Sequence, residues 1–170
     1  SGTTAVMVIQ IDDLLICANT GDSRAILYSP DSVKNLSIDH KPDSEGEKER
    51  ILANGGRVEK FNDNGDYVGP YRVWLKYEDY PGLAMSRSLG DFVAKSVGCS
   101  YIPEIIEVKI TDRTFFMIIA SDGVWDVISD TILLEIILKY VDCQEICNNL
   151  VSKSKDLGSA DNISCISIKL

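Results

Sequence analysis

Asp122 follows directly on the apolar run 114–121, Gly123 behind it lets the backbone turn, and Asp126 comes four residues later. Asp161 immediately precedes a final alternating segment, and Asp22 sits in the turn after residues 14–19. All four carboxylates therefore fall at strand or turn junctions, where a sheet ends and side chains can converge on one rim. Converged carboxylates repel one another unless a cation neutralises them. Their hard oxygens, supplemented by water, suit Mg²⁺ or Mn²⁺ rather than Zn²⁺, whose His and Cys ligands are not clustered in this chain. The same positions also suit solvated surface acids and caps, and spacing alone does not choose between the two readings.

The elements that must position these residues are legible from periodicity and punctuation. Residues 4–11 and 14–19 are β-branched and apolar on either side of Asp12-Asp13, which predicts a hairpin; residues 25–28 predict a third short strand leading to a loop around Pro30. Ser44-Glu-Gly-Glu47 has capping-box spacing and Gly55-Gly56 closes the segment, so a short helix is expected between them. Residues 62–80 are rich in Asn, Asp, Gly and Tyr without sustained periodicity and predict a long surface loop. Residues 105–110 and 114–120 read as strands, the second apolar on both faces as a buried central strand would be. Ile132, Leu133, Ile136, Ile137, Tyr140 and Val141 recur at helical spacing behind Ser129 or Asp130 as N-cap. Asp142 then opens a second helix with Ile146, Cys147, Leu150 and Val151 on one face, Gly158 lies past its end, and residues 162–170 alternate like a last strand. The order predicts an α+β fold over residues 1–170 with antiparallel sheet, no internal repeat and no interdomain linker.

Composition bounds the partners. The chain has 170 residues, 45% hydrophobic, enough for a core without disulfides or structural zinc. A net charge of −9 disfavours nucleic acid and anionic lipid at long range. No apolar run approaches the roughly 20 residues of a membrane span. Five cysteines, odd in number and without a Cys-x-x-Cys pair, point to a reducing intracellular setting, cytoplasmic or nuclear. The chain opens at Ser1 inside a strand-like stretch, as a cut or processed end would.

Read together, six segments resemble, in order, the successive motifs of the type 2C (PPM) metal-dependent serine/threonine protein phosphatases: Ser1-Gly-Thr-Thr-Ala5, Ala18-Asn-Thr-Gly-Asp-Ser-Arg-Ala25, Asp39-His-Lys-Pro42, Gly82-Leu-Ala-Met-Ser-Arg-Ser-Leu-Gly-Asp91, Ala120-Ser-Asp-Gly-Val-Trp-Asp-Val127 and Ser159-Ala-Asp-Asn-Ile163. Tyr71-Arg-Val-Trp74 is most similar to the flap region of plant and protist members. The resemblance implies an αββα sandwich of two antiparallel sheets flanked by helices, with two metal ions at one end. It implies Asp122 and Asp161 as direct ligands of one ion, and Asp22 and Asp126 as residues of an additional metal site found in some members. The implied reaction is hydrolysis of phosphoserine or phosphothreonine in proteins by a water held between two ions, without a phosphoenzyme.

The family's Asp-Gly-His-Gly segment and its upstream Arg and Glu region do not occur among these 170 residues. The resemblance therefore implies an incomplete domain that lacks its N-terminal segment and, by itself, is inactive. It further implies apolar sheet surface left bare, which leaves room for an oligomer or swapped assembly. The alternative is a pseudophosphatase or protein-binding module on the same fold. Other residues have plainer readings: His40 as a hydrogen-bonded anchor, Trp125 as core, Arg87 and Asp91 as a charge pair at the flap's base, 63–66 as a turn rather than a calcium loop, and Arg57 and Lys60 as solvated cations.

Overall fold

The computed structural model describes residues 1–30 and 32–170; Asp31, in the connection expected around Pro30, lies outside the described residues. The chain packs as two compact units. The first comprises residues 1–5, 20–22 and 39–103, and the second residues 6–19, 23–38 and 104–170.

In the second unit, the hairpin forms as expected: β2 (Ala5–Ile11; β1 belongs to the first unit) and β3 (Leu14–Thr20) neighbour one another across Asp12, whose φ of 52° accommodates the two-residue turn. β3 also pairs antiparallel with β10 (Glu104–Lys109), giving the order β10-β3-β2. A four-stranded sheet runs β12-β11-β4-β5, built from β4 (Arg24–Ser29), β5 (Ser32–Asn35), β11 (Phe116–Ala120) and β12 (Cys165–Lys169). β11 is the strand expected to be central, and it is paired on both sides.

Alternation along β11 serves two cores at once. Met117 and Ile119 join Leu15, Cys17, Leu27 and Val108 between the two sheets, while Phe116, Ile118 and Ala120 face a helical layer. That layer is α3 (Asp122–Trp125), α4 (Asp130–Lys139) and α5 (Cys143–Asp156), seated through Val124, Leu133, Ile137, Ile146 and Leu150. The helices start where their caps predict: Ser129 Oγ accepts from the Ile132 amide, and Asp142 Oδ1 accepts from the Gln144 and Glu145 amides at 2.9 and 3.0 Å. The outer face of the three-stranded sheet carries Met7, Ile9, Ile11 and Ile105, each about half exposed, so bare apolar sheet surface is present in this unit.

The first unit contains a short pairing of β1 (Gly2–Thr3) with β9 (Leu89–Gly90), the helices α1 (Glu47–Ala53) and α2 (Phe92–Lys95), and a sheet of β6 (Arg57–Asp63), β7 (Asp66–Trp74) and β8 (Pro81–Leu83). Most of the stretch expected to be a loop, residues 62–80, is instead a hairpin: β6 and β7 pair antiparallel around Asn64-Gly65, both at positive φ, and Asn62 Oδ1 accepts the Gly65 amide at 2.7 Å. Aromatic side chains that blurred the hydrophobic pattern sit on an exposed two-stranded ribbon, where alternation need not separate core from solvent. The turn reading of 63–66 holds.

α1 begins two residues later than the Ser44–Glu47 box suggests. Its N-cap is Gly46, whose amide donates to Glu49, and Glu47 has turned inward. The buried Glu47 carboxylate receives both Arg50 terminal nitrogens at 2.6 and 2.7 Å, Arg87 Nη2 at 2.8 Å, and the Ser86 hydroxyl. Arg87 thus pairs with Glu47 and not with Asp91, because the helix brings a desolvated carboxylate within reach of its guanidinium. The two arginines extend the tie to the Gly98, Ser86 and Ile102 carbonyls.

Burial alone would raise the Glu47 pKa, but hydrogen bonds from Arg50, Arg87 and Ser86, with the Arg50 charge, hold it down at about 2 against an ordinary 4.5. A depressed carboxylate stabilises the fold fully above its unfolded value, and that contribution is lost as pH falls from about 4.5 to about 2. Glu47→Gln should therefore destabilise the first unit by about 1.5–3 kcal/mol at pH 7, since it removes the carboxylate charge that the Arg50 and Arg87 guanidiniums face. The gap from wild type should close through that acid window. Amide exchange in α1 at pH 7, with unfolding midpoints measured from pH 7 to pH 2, checks this; equal protection in the two proteins, or a gap independent of pH, would refute it.

Candidate functional site

The pairing of β11 with β12 sets the site's geometry. Ala120, the last residue of β11, lies opposite Cys165, the first of β12, so the chain leaves one strand and enters the other at the same sheet edge. Asp122 lies just beyond Ala120 and Asp161 just ahead of β12, so both belong to turns at that edge. Asp126 is the C-terminal cap of α3, the one-turn helix that Asp122 begins.

The two turns are stitched together. Ser121 Oγ donates to the Asn162 carbonyl at 3.1 Å and accepts from the Ser164 amide at 3.0 Å, while the Ser121 amide donates to the Ser164 carbonyl at 3.0 Å. Ser159 Oγ donates to the Gly123 carbonyl at 2.8 Å. Gly123 is required by proximity: a Cβ there would stand 2.5 Å from the Asn162 carbonyl oxygen. Each aspartate also braces its own turn, Asp122 Oδ1 accepting the Gly123 amide at 2.9 Å and Asp161 Oδ1 the Asn162 amide at 2.6 Å.

Asp126 and Asp161 are exposed and line one open cleft of about 420 Å³ with Gly123, Val127, Ser159 and Ala160; Asp122, half-buried, stands at the head of the same turn. The donor set is oxygen only, from carboxylates, hydroxyls and backbone carbonyls, which fits a hard divalent cation that keeps several waters and does not fit zinc. Among the described residues no three His, Cys, Asp or Glu side chains form a complete metal cage.

Asp22 belongs to the first unit, where it is 2% exposed and receives Lys41 Nζ at 2.6 Å. His40 anchors the same stretch: the Gly21 amide donates to its Nδ1 at 3.1 Å, and the ring is 2% exposed, as its reading as an anchor expects. Trp125 is core, its Nε1 donating to the Ala120 carbonyl at 2.8 Å, with the Arg24 guanidinium 5.4 Å from the ring centre. Arg57 is not a free cation: its guanidinium reaches Glu59 and Asp79 at 2.7 and 2.8 Å. Sequence reasoning missed Ser121 and Ser159, the hydroxyls that join the aspartate turns; both lie inside quoted motifs, and that placement was the available signal.

Gly123→Ala should drive the two turns apart and cost about 1–3 kcal/mol, the usual penalty for overpacking. Ser121→Ala should cost about 1 kcal/mol for each hydrogen bond lost. Thermal unfolding together with amide exchange at Ser164 measures both, and unchanged protection at Ser164 in both variants would contradict the stitched arrangement.

Comparison with known proteins points the same way as these motifs. The family model described as "Protein phosphatase 2C" matches residues 1–163. "Probable protein phosphatase 2C 73" of Oryza sativa subsp. japonica is 41% identical over 91% of this chain and 37% of its own length. "Probable protein phosphatase 2C 52" of Arabidopsis thaliana is 40% identical over 91% of this chain and 33% of its own length. Among solved structures, the serine-threonine phosphatase 2C of Toxoplasma gondii superposes with a TM-score of 0.81 at 27% identity, covering 98% of this chain and 57% of that one. A sex determining protein of C. elegans gives a TM-score of 0.82, also at 27% identity, over 99% of this chain and 40% of that one. The chain thus spans well under half the length of these curated relatives, yet nearly all of it matches the family model, and it belongs to the protein phosphatase 2C family.

Proposed function

We propose that these 170 residues carry one half of the metal-binding apparatus of a phosphoserine/phosphothreonine protein phosphatase, with Asp122 and Asp161 as ligands of Mg²⁺ or Mn²⁺ and Asp126 as a residue of a further cation site; Asp22, buried against Lys41 in the first unit, is assigned no cation. The observation that carries the reading is the β11–β12 register, which delivers the Asp122 and Asp161 turns to one edge and lets Ser121 hold them together. The protein's own share of the work is positional. Ser121, Gly123 and Ser159 keep two carboxylate-bearing turns in contact, so that like charges are held near one another before any cation arrives. Bound Mg²⁺ or Mn²⁺ would acidify a water and offset the charge developing on the phosphate oxygens. The carboxylates hold cations and orient them; none is assigned a proton to transfer.

The substrate class is a phosphoprotein. The Asp-Gly-His-Gly segment, which the family resemblance associates with the carboxylate shared by both ions, is not among these residues, so the 170-residue chain alone should bind cation weakly and turn over no phosphopeptide.

Two assays decide the matter. A chain that also carries an Asp-Gly-His-Gly segment should hydrolyse a phosphothreonine peptide in Mn²⁺. Asp122→Asn should cut that rate by more than about 100-fold, beyond the loss usual for removing an outer partner of a metal ligand. Equal rates would remove Asp122 from the mechanism. Absence of turnover in the extended chain would favour the pseudophosphatase or binding-module reading, and robust Mn²⁺-dependent turnover by the 170 residues alone would overturn the claim that they are half a site.

A further inference from the structure

The five cysteines do not share one environment. Cys17 and Cys99 are buried, and burial pushes their thiols up to about 11 and about 12, so both are shielded core residues. Cys147 on α5 and Cys165 at the start of β12 differ: both are only half-buried, both line one cleft, and the Cys147 thiol lies near enough to act on that of Cys165. Together they line an open cleft of about 560 Å³, with Gln144, Asn148, Lys155 and Ser164 around them. α5 packs along β12, so the two sulfurs are held side by side by elements that share the helical layer's core.

We propose that Cys147 and Cys165 form a modification site at which a hydroperoxide, entering through this cleft, is reduced as the two thiols close to a disulfide. Cys147 meets the oxidant because it stands on the α5 face that lines the cleft with Gln144, Asn148 and Lys155; burial, followed by the neighbouring Cys147 thiol, raises the Cys165 pKa, which suits Cys165 to the second step. The Cys147 thiolate attacks the terminal peroxide oxygen, the O–O bond breaks, and the departing oxygen leaves as hydroxide or alkoxide; Cys147 becomes a sulfenic acid. Cys165 sulfur then attacks the Cys147 sulfur, the S–S bond forms, the S–O bond breaks, and its oxygen departs as water with the Cys165 proton. In sum, two thiols and one hydroperoxide give one disulfide, one water and one further water or alcohol. A thiol reductant reverses it.

The bond would join the two ends of the segment 148–164, which contains Gly158 and the turn bearing Asp161. Oxidation therefore restrains the turn that enters β12, whether or not that turn holds a cation.

The test uses the 170-residue chain, reduced and then treated with a slight excess of hydrogen peroxide. The expected result is loss of the Cys147 and Cys165 free thiols, a proteolytic fragment linking those two residues, a monomeric product and full recovery on reduction by dithiothreitol. Cys165→Ser should leave a dimedone-reactive sulfenic acid at Cys147 and no linked fragment. In the oxidised wild type, amide exchange across residues 157–164 should slow. Linkage of Cys147 to Cys143, a disulfide between chains, or overoxidation of wild-type Cys147 without a cross-link would each overturn the assignment; because the linked fragment is read in the wild-type chain, misfolding of a variant would not mask the answer.

Discussion

The second unit depends on β11 being buried on both faces and paired on both edges. Met117 and Ile119 seal the space between two sheets while Phe116, Ile118 and Ala120 hold down three helices. A slip of one residue in this strand would exchange those two sets between cores shaped for different side chains, so the register is fixed by packing on both sides. Asp122 inherits its position from that register. It stands two residues past a strand end that cannot move, and β12, zipped alongside from Phe116↔Lys169 to Ala120↔Cys165, brings Asp161 back to the same edge.

Hydrophobic burial fixes the strands, and hydrogen bonds fix the turns that leave them. Ser121 bonds the opposite turn as both donor and acceptor, Ser159 reaches Gly123, and Gly123 lacks the side-chain atom that would hold the two apart. Mutually repelling carboxylates can be kept at one edge only if the backbone beneath them is held by something stronger than their repulsion, and exposed carboxylates in water repel weakly. The two demands are compatible because Asp161 faces an open cleft and Asp122 is only half-buried, while hydrogen bonds tie the turns that bear them to one another beside the sheet.

The first unit solves a different problem. It has a small apolar core of Ile51, Val58, Val73, Ala94, Val97 and Cys99, and the Glu47 network reinforces it. One buried carboxylate gathers Arg50, Arg87 and Ser86, and through the guanidiniums it ties α1 to the carbonyls of Ser86, Gly98 and Ile102. A charged hub of this kind specifies which segments meet, because each arginine left without its carboxylate would be costly to bury.

The sequence alone determined the local features. The hairpin expected at 4–11 and 14–19, the doubly apolar strand at 114–120, a cap at Ser129 or Asp130 and another at Asp142, and the strand before the C-terminus follow from periodicity and from side chains that bond their own backbone, both of which act within a few residues. The six ordered motifs carried the family, and with it the α+β sandwich. Choices among distant partners were left to the tertiary structure. Ser44–Glu47 fits a capping box, yet Glu47 turned inward because two arginines separated from it by 3 and 40 residues made a better site for its charge. Residues 62–80 lacked a core-facing period because their ribbon is largely exposed, and only the pairing of β6 with β7 made them a sheet. The four aspartates met with at the outset were visible as residues at strand and turn junctions. That Asp122 and Asp161 leave one stitched edge, while Asp22 is buried against Lys41, is a matter of strand register and burial, which no spacing along a chain encodes.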